Sequence, residues 1–150
     1  MFAAIAVQAT TYYNLWINGV GVTDANNYNL SVINGVTGTA YYVPSTNILV
    51  LNNATMTVAN ARNIDNNIKG LKISVTGTCT LNVTSGEYAS LSTVTATIGG
   101  SGTLICKSVQ NPGCVIQSDK ILTIQEGVQA DFRGTYGLYG KSGTAQRVLA

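Results

Sequence analysis

The chain has 150 residues, 45% of them hydrophobic and only 9% charged, with a formal net charge of +2 and no histidine. This length allows one domain with a buried core, and so apolar a composition excludes intrinsic disorder. The Lys and Arg residues stand singly along the chain, which excludes the basic stripe that a nucleic-acid partner requires. No acidic run forms a charged tail, and no window reaches the roughly 20 apolar residues of a membrane-spanning helix.

Residues 1–10 are apolar, and the Ala6-Val7-Gln8-Ala9 stretch is one that a signal peptidase accepts, although no positive residue precedes it. The segment reads as an apolar leader or the remnant of a secretory signal, with an ordinary first strand as the alternative. Residues 11–47 read as an N-terminal β cap built from hairpins. In the first, Asn18-Gly19 joins Leu15-Trp16-Ile17 to Val20-Gly21-Val22, and Asn-Gly suits the positive φ of a type I′ turn. In the second, Pro44-Ser45-Thr46-Asn47 joins Tyr41-Tyr42-Val43 to Ile48-Leu49-Val50-Leu51. A solenoid needs such a cap to cover the apolar face and open strand edges of its first coil.

From 48 to 140 a short apolar pattern recurs every 22 to 26 residues: Leu49-Val50-Leu51, Leu71-Lys72-Ile73, Ala96-Thr97-Ile98 and Leu122-Thr123-Ile124. Each is followed by a second apolar pair, Met56/Val58, Leu81/Val83, Leu104/Cys106 and Ala130/Phe132. Repeats of this length without helical periodicity predict an all-β solenoid, a short parallel β-helix of about four coils. Alternation turns Leu71, Ile73 and Val75 inward and Lys72, Ser74 and Thr76 outward. Turns are expected at Asn52-Asn53, Asp65-Asn66-Asn67, Gly99-Gly100 and Glu126-Gly127, since Asn and Gly tolerate the left-handed conformation. Residues 134–140 are rich in Gly and Tyr, and 141–150 show no strand pattern and read as a C-terminal tail. An end closed only by such a tail makes an end-to-end homo-oligomer a candidate arrangement.

Aligning these repeats puts Cys79 opposite Gly102 and Cys106 opposite Val83, about 13 Å apart along the strand direction at about 3.3 Å per residue. That is beyond disulfide reach, so both are expected to be small buried hydrophobes. Cys114, after Asn111-Pro112-Gly113, falls in a turn-like context.

Tyr13-Asn14-Leu15-Trp16-Ile17-Asn18-Gly19-Val20-Gly21-Val22-Thr23 resembles the opening of a repeat-rich family of secreted bacterial surface proteins. The block from Ala40 to Ala54, with Gly70-Leu71-Lys72-Ile73, Leu122-Thr123-Ile124-Gln125-Glu126-Gly127 and Gly134 to Gly140, extends the resemblance over roughly residues 13 to 140. It implies a right-handed parallel β-helix that is secreted or displayed at the cell surface. Some similar domains are labelled carbohydrate-binding, and no site residue carries over from them.

Without histidine, the Ser-His-Asp and Cys-His nucleophile systems and His-based zinc sites are excluded in their usual form. Many parallel β-helices are polysaccharide lyases or hydrolases, and that chemistry needs a cluster of outer carboxylates. Asp119, Glu126, Asp131 and Arg133 lie in and beside one coil, where Asp131 and Arg133 share a strand face and read first as a solvated ion pair. Gly99-Gly100-Ser101-Gly102-Thr103-Leu104 is close to a calcium β-roll repeat but carries Leu104 where the carboxylate ligand belongs, so no metal is expected there. Thr55/Thr57, Thr78/Thr80 and Thr93/Thr95/Thr97 do not share one repeat phase, which argues against an ice-binding ladder and for simple β-propensity.

Aromatic residues are the remaining lead, because a sugar face stacks on Tyr or Trp while a polar edge stays wet. The candidates are Trp16, Tyr88, Tyr136 and Tyr139, with Asp131 and Arg133 as polar partners. Trp16 is also a natural filler of the cap core, and Tyr139 is the stronger surface candidate because Leu138 is its inward neighbour. The expected function is a non-catalytic, secreted or cell-surface β-helix that binds a polysaccharide, surface glycan or other surface partner and needs no cofactor. A structural or adhesive repeat module comes second, and a polysaccharide lyase or hydrolase third.

Overall fold

The computed structural model describes residues 8–109, 114–116, 121–135, 137–140 and 147–149, with side chains for all of these except 114–116, 139–140 and 147–149. The cap opens with β1 (Tyr12–Ile17) and β2 (Val20–Thr23), paired antiparallel across Ile17 and Val20. Asn18 and Gly19 turn the chain at φ 48° and 78°, as an Asn-Gly hairpin requires. A 3-10 turn at Leu30–Val32 leads to β3 (Val36–Val43). The cap grows directly on the first coil: β1 pairs antiparallel with Ile64–Asn66, and β3 with Ile48–Ala59. Beside β2, the Asn26 amide accepts from Thr23 N at 2.8 Å and donates to Gly21 O at 3.2 Å. A side chain thus occupies backbone groups that would otherwise offer an edge for strand pairing. In the cap interior Tyr13 and Tyr42 meet edge to face at 5.4 Å, and the Tyr42 hydroxyl donates to Asn47 Oδ1 at 2.9 Å. Burial first, and then Tyr13, pushes the Tyr42 phenol pKa up.

The coils form a parallel β-solenoid with three strands in each coil after the first, which has two. The first coil holds β4 (Ile48–Ala59) and β5 (Ile64–Asn66), and the second β6 (Leu71–Thr76), β7 (Thr78–Ser85) and β8 (Leu91–Thr93). The third holds β9 (Ala96–Gly100), β10 (Thr103–Ser108) and β11 (Cys114–Ile116), and the fourth β12 (Leu122–Ile124), β13 (Gln129–Arg133) and β14 (Leu138–Gly140). Equivalent strands pair in parallel and form three faces. The first runs β4-β6-β9-β12, the second β4-β7-β10-β13 and the third β5-β8-β11-β14. The long β4 serves the first two faces by bending at Asn53, whose φ is 46°.

Alternation carries one set of side chains into the dry axis. Leu49, Ile73, Ile98 and Ile124 stack on the first face, and Met56, Leu81 and Cys106 on the second, each no more than 6% exposed. Each such Leu or Ile contributes about 1.5–3 kcal/mol by burial. The third face is more polar inside. Its inward rungs are Ile64 on Leu91 and Asn66 on Thr93, and Asn66 Nδ2 donates to Thr93 Oγ1 at 2.7 Å.

Several expectations are corrected. The third strand of each coil was not foreseen: Asp65 and Asn66, expected in a turn, lie in β5. Asn52-Asn53 and Gly99-Gly100 also lie within strands, β4 and β9. The aligned repeats slip by two residues at two places, where Leu49 meets Ile73 rather than Leu71, and Leu81 meets Cys106 rather than Leu104. A two-residue slip keeps every side chain on its face, so the inward set is unchanged. Cys79 and Cys106 are consequently two register positions apart instead of four, and both are buried. Burial raises the Cys79 thiol pKa despite backbone hydrogen bonds that lower it. Residues 147–149, expected to lack a strand, form β15 (Arg147–Leu149), which pairs in parallel with β12. Among the described residues, no helix is long and apolar enough to cross a membrane.

Candidate functional site

The site lies where the cap meets the third face. Leu15 and Ile17 are fully buried, so alternation along β1 turns the intervening Trp16 to the outer side, and it does not fill the cap core. Its cross-strand neighbours are Gly21 on β2 and Asp65 on β5. Gly21 faces the indole across the hairpin: a Cβ there would make ordinary contacts, 3.6 Å from Trp16 Nε1 and 3.7 Å from Tyr12 Cδ1.

Asp65 owes its position to β5, where Ile64 and Asn66 point inward and Asp65 must point outward. Three residues upstream, Arg62 Nη1 donates to Asp65 Oδ2 at 2.9 Å, with both side chains about a quarter to a third exposed. Arg62 Nε is buried and has no hydrogen-bond partner. On the next rung Ser92, paired in register with Asp65, likewise buries a hydroxyl without a partner. Unsatisfied buried donors cost about 1–3 kcal/mol each and gather at functional sites.

Tyr88 comes from the loop between β7 and β8 and is 39% exposed. Its carbonyl accepts from Ser108 Oγ at 2.8 Å, and Gly86 lets the ring settle beside the Asn60 corner. A Cβ at Gly86 would stand 2.8 Å from Asn60 Oδ1 and 3.0 Å from Tyr88 Cδ2. The result is a surface cleft of about 260 Å³, walled by Trp16 and Tyr88 and lined by Arg62, Asp65, Asn60 and Asn67.

A buried amide hub holds these walls in register. Asn63 Nδ2 donates to Asn18 Oδ1 at 3.0 Å and to Met56 O at 2.9 Å. Asn18 Nδ2 in turn donates to Asn34 O at 3.0 Å and to Thr57 O at 3.2 Å. The Asn of the first hairpin turn is thereby tied to the corner that carries Arg62.

Of the residues singled out from sequence, Trp16 and Tyr88 meet in this cleft. Asp131 and Arg133 stand elsewhere, on the outer side of β13 in the last coil, where Arg133 Nε donates to Asp131 Oδ2 at 2.8 Å. The Arg133 hydrogen bond holds the Asp131 carboxyl below the usual carboxylate range, with smaller help from the charges of Arg133 and Lys107. Tyr136 and the side chain of Tyr139 lie outside the described residues; the Tyr139 backbone pairs with Val115. Sequence reasoning missed Arg62, Asp65, Asn60 and Asn67 as site residues. The available signal was Arg62-x-x-Asp65 around Ile64, an inward residue whose counterpart one coil on is Leu91. Among the described residues, no group of three or more His, Cys, Asp or Glu side chains is placed to hold a metal ion.

Comparison with protein-family models, curated proteins and solved structures finds no match for this chain, so the cleft is read from its own chemistry.

Proposed function

We propose that the chain is a non-catalytic domain that binds glycans at its Trp16–Tyr88 cleft. The observation that carries this reading is the convergence of two aromatic rings, distant in sequence, with a paired carboxylate and guanidinium and two carboxamides in one concavity. An indole or phenol face covers the C–H face of a pyranose. Carboxylate, guanidinium and amide groups match its hydroxyls as acceptors and donors. The volume is at the small end for organic ligands and suits one or two sugar units of a longer chain. The resemblance of the cap to secreted bacterial surface proteins supports a location outside the cell or on its surface.

A hydrolase centred on this cleft is disfavoured by its carboxylates. Asp65 alone lines it and is paired with Arg62, whereas glycoside hydrolysis employs two carboxylates facing one bond. A structural or adhesive module is the second reading. It draws on an apolar cleft of the last coil lined by Ile124, Ala130, Phe132 and Leu138, which suits end-to-end contact. A glycan array followed by calorimetry on the hits tests the main proposal. Binding that disappears in Trp16→Ala and Tyr88→Ala while the fold persists supports it. Absence of binding to any glycan, together with concentration-dependent association in sedimentation, favours the structural module. Release of reducing ends from a polysaccharide, with or without calcium, would restore the enzyme reading.

A further inference from the structure

We infer that the cleft selects uncharged sugars over acidic ones, and that Asp65 is the residue that sets this choice. The inference rests on the glycan reading above and assigns the class of sugar. Of the residues that line the cleft only Arg62 and Asp65 carry charge, and they are joined at 2.9 Å. The lining therefore carries no net charge, and the one cation that could meet a uronate or sialate carboxylate already has the Asp65 carboxylate beside it. An acidic sugar would have to displace Asp65 from Arg62 or sit beside its carboxylate, and like charges at close range oppose binding. A neutral pyranose meets neither obstacle: Asp65 accepts from its hydroxyls while remaining paired, and the rings supply the stacking surface.

The commitment of Arg62 is also incomplete. Its Nη1 holds Asp65, while its Nε is buried without a partner. The buried Nε is closed to a ligand, but the guanidinium keeps its charge and N–H donors on its outer nitrogens, so removing the Asp65 charge leaves a cation in an aromatic-walled cleft with no anion beside it. Asp65 is thus a specificity-determining residue, and its isosteric amide converts a neutral lining into a positive one. Arg62→Gln makes the opposite change and leaves a lone carboxylate.

The test measures, by calorimetry, the affinity of the full chain for neutral trisaccharides of the gluco, galacto and manno series, each paired with the same trisaccharide oxidised at C6 to the uronate. In the unsubstituted protein the neutral member of a pair is expected to bind about tenfold or more tightly, the scale of one unfavourable charge contact. Asp65→Asn should lower that ratio about tenfold through a gain in uronate affinity, and added salt should erase the gain. Arg62→Gln should raise the ratio, and it gives an independent reading if Asp65→Asn fails to fold. Trp16→Ala should weaken both members of a pair alike and leave the ratio unchanged. Preferential uronate binding by the unsubstituted protein, or a ratio that neither charge variant moves, overturns this inference while leaving glycan binding intact. Absence of binding to either class in all series overturns both.

Discussion

Among the described residues there are two Arg–Asp ion pairs on the outer surface of the coils, and their surroundings could hardly differ more. Arg62–Asp65 sits at the first coil, beside a hairpin of the cap and a loop of the second coil, and shares a cleft with Trp16 and Tyr88. Arg133–Asp131 sits on β13 of the last coil, with side chains 60% and 42% exposed. Strand faces of a solenoid are flat, so a charge pair on one of them is a solvated patch. The concavity beside Arg62–Asp65 is made by features that leave the plane of the sheet: the turn at Gly19, the Asn60–Arg62 corner and the loop bearing Tyr88. Site chemistry is therefore set less by which charged residues a coil carries than by whether a cap or corner rises beside them.

The comparison presumes that both pairs decorate one continuous core. Ile73 stacks between Leu49 and Ile98 and is 1% exposed, and Ile73→Asp would bury an uncompensated charge there. A loss of several kcal/mol is expected, enough to abolish a cooperative urea transition in a protein of ordinary stability. A variant with a native-like midpoint would contradict the stacked column and the shared frame with it.

Trp16→Ala separates the two regions next. The indole is on the outer side, so the fold should survive. Glycan affinity should fall by about tenfold, equivalent to about 1.4 kcal/mol, for a lost aromatic platform, as read by calorimetry on any glycan that binds the unsubstituted chain. Retained affinity would move the site away from the cap.

Asn63→Ala tests whether the cleft is held from beneath. The substitution removes the donor to Asn18 Oδ1 and Met56 O, leaving both acceptors buried. A cost of about 1–3 kcal/mol is expected in urea denaturation, with a several-fold weaker affinity because the hairpin and the Arg62 corner keep only their backbone bond, Asn18 N to Asn63 O at 2.9 Å. A drop in stability without any change in binding would show that the hub supports the fold but does not position the site.

These particulars explain how far the sequence could be read. Leu71, Ile73 and Val75 alternate cleanly against Lys72, Ser74 and Thr76, and that period announces a strand whatever its register. The third face offers no such run. Its strands Ile64–Asn66 and Leu91–Thr93 are only three residues long, and one inward position in each is Asn66 or Thr93, polar residues whose hydrogen bond to each other satisfies them inside. Asn is ambiguous in the same way at corners. Asn53 bends β4 through the left-handed region without ending it, where composition alone suggests a turn. Trp16 was legible as a candidate but not as an outward residue, since its exposure depends on Leu15 and Ile17 facing the core. The partners Arg62 and Asp65 stayed hidden because the strand that aims Asp65 outward was itself hidden.

The smallest effect is expected at the exposed pair. Asp131→Asn should leave the urea midpoint and glycan binding unchanged within error, since ion pairs between fully solvated side chains contribute little. The pair should still be visible in titration. Arg133 holds the Asp131 carboxyl below its ordinary pKa, so whatever stability the pair contributes is present above the ordinary carboxylate range and lost as pH falls through the folded-state value. NMR of the Asp131 side-chain carboxyl should show a midpoint below that of the unfolded chain, and Arg133→Gln or high salt should move it upward. A normal midpoint in the unsubstituted protein would mean that the contact does not persist in solution. A glycan-binding defect in Asp131→Asn would mean that a flat strand face can serve as a site after all, and the distinction between the two pairs would fail.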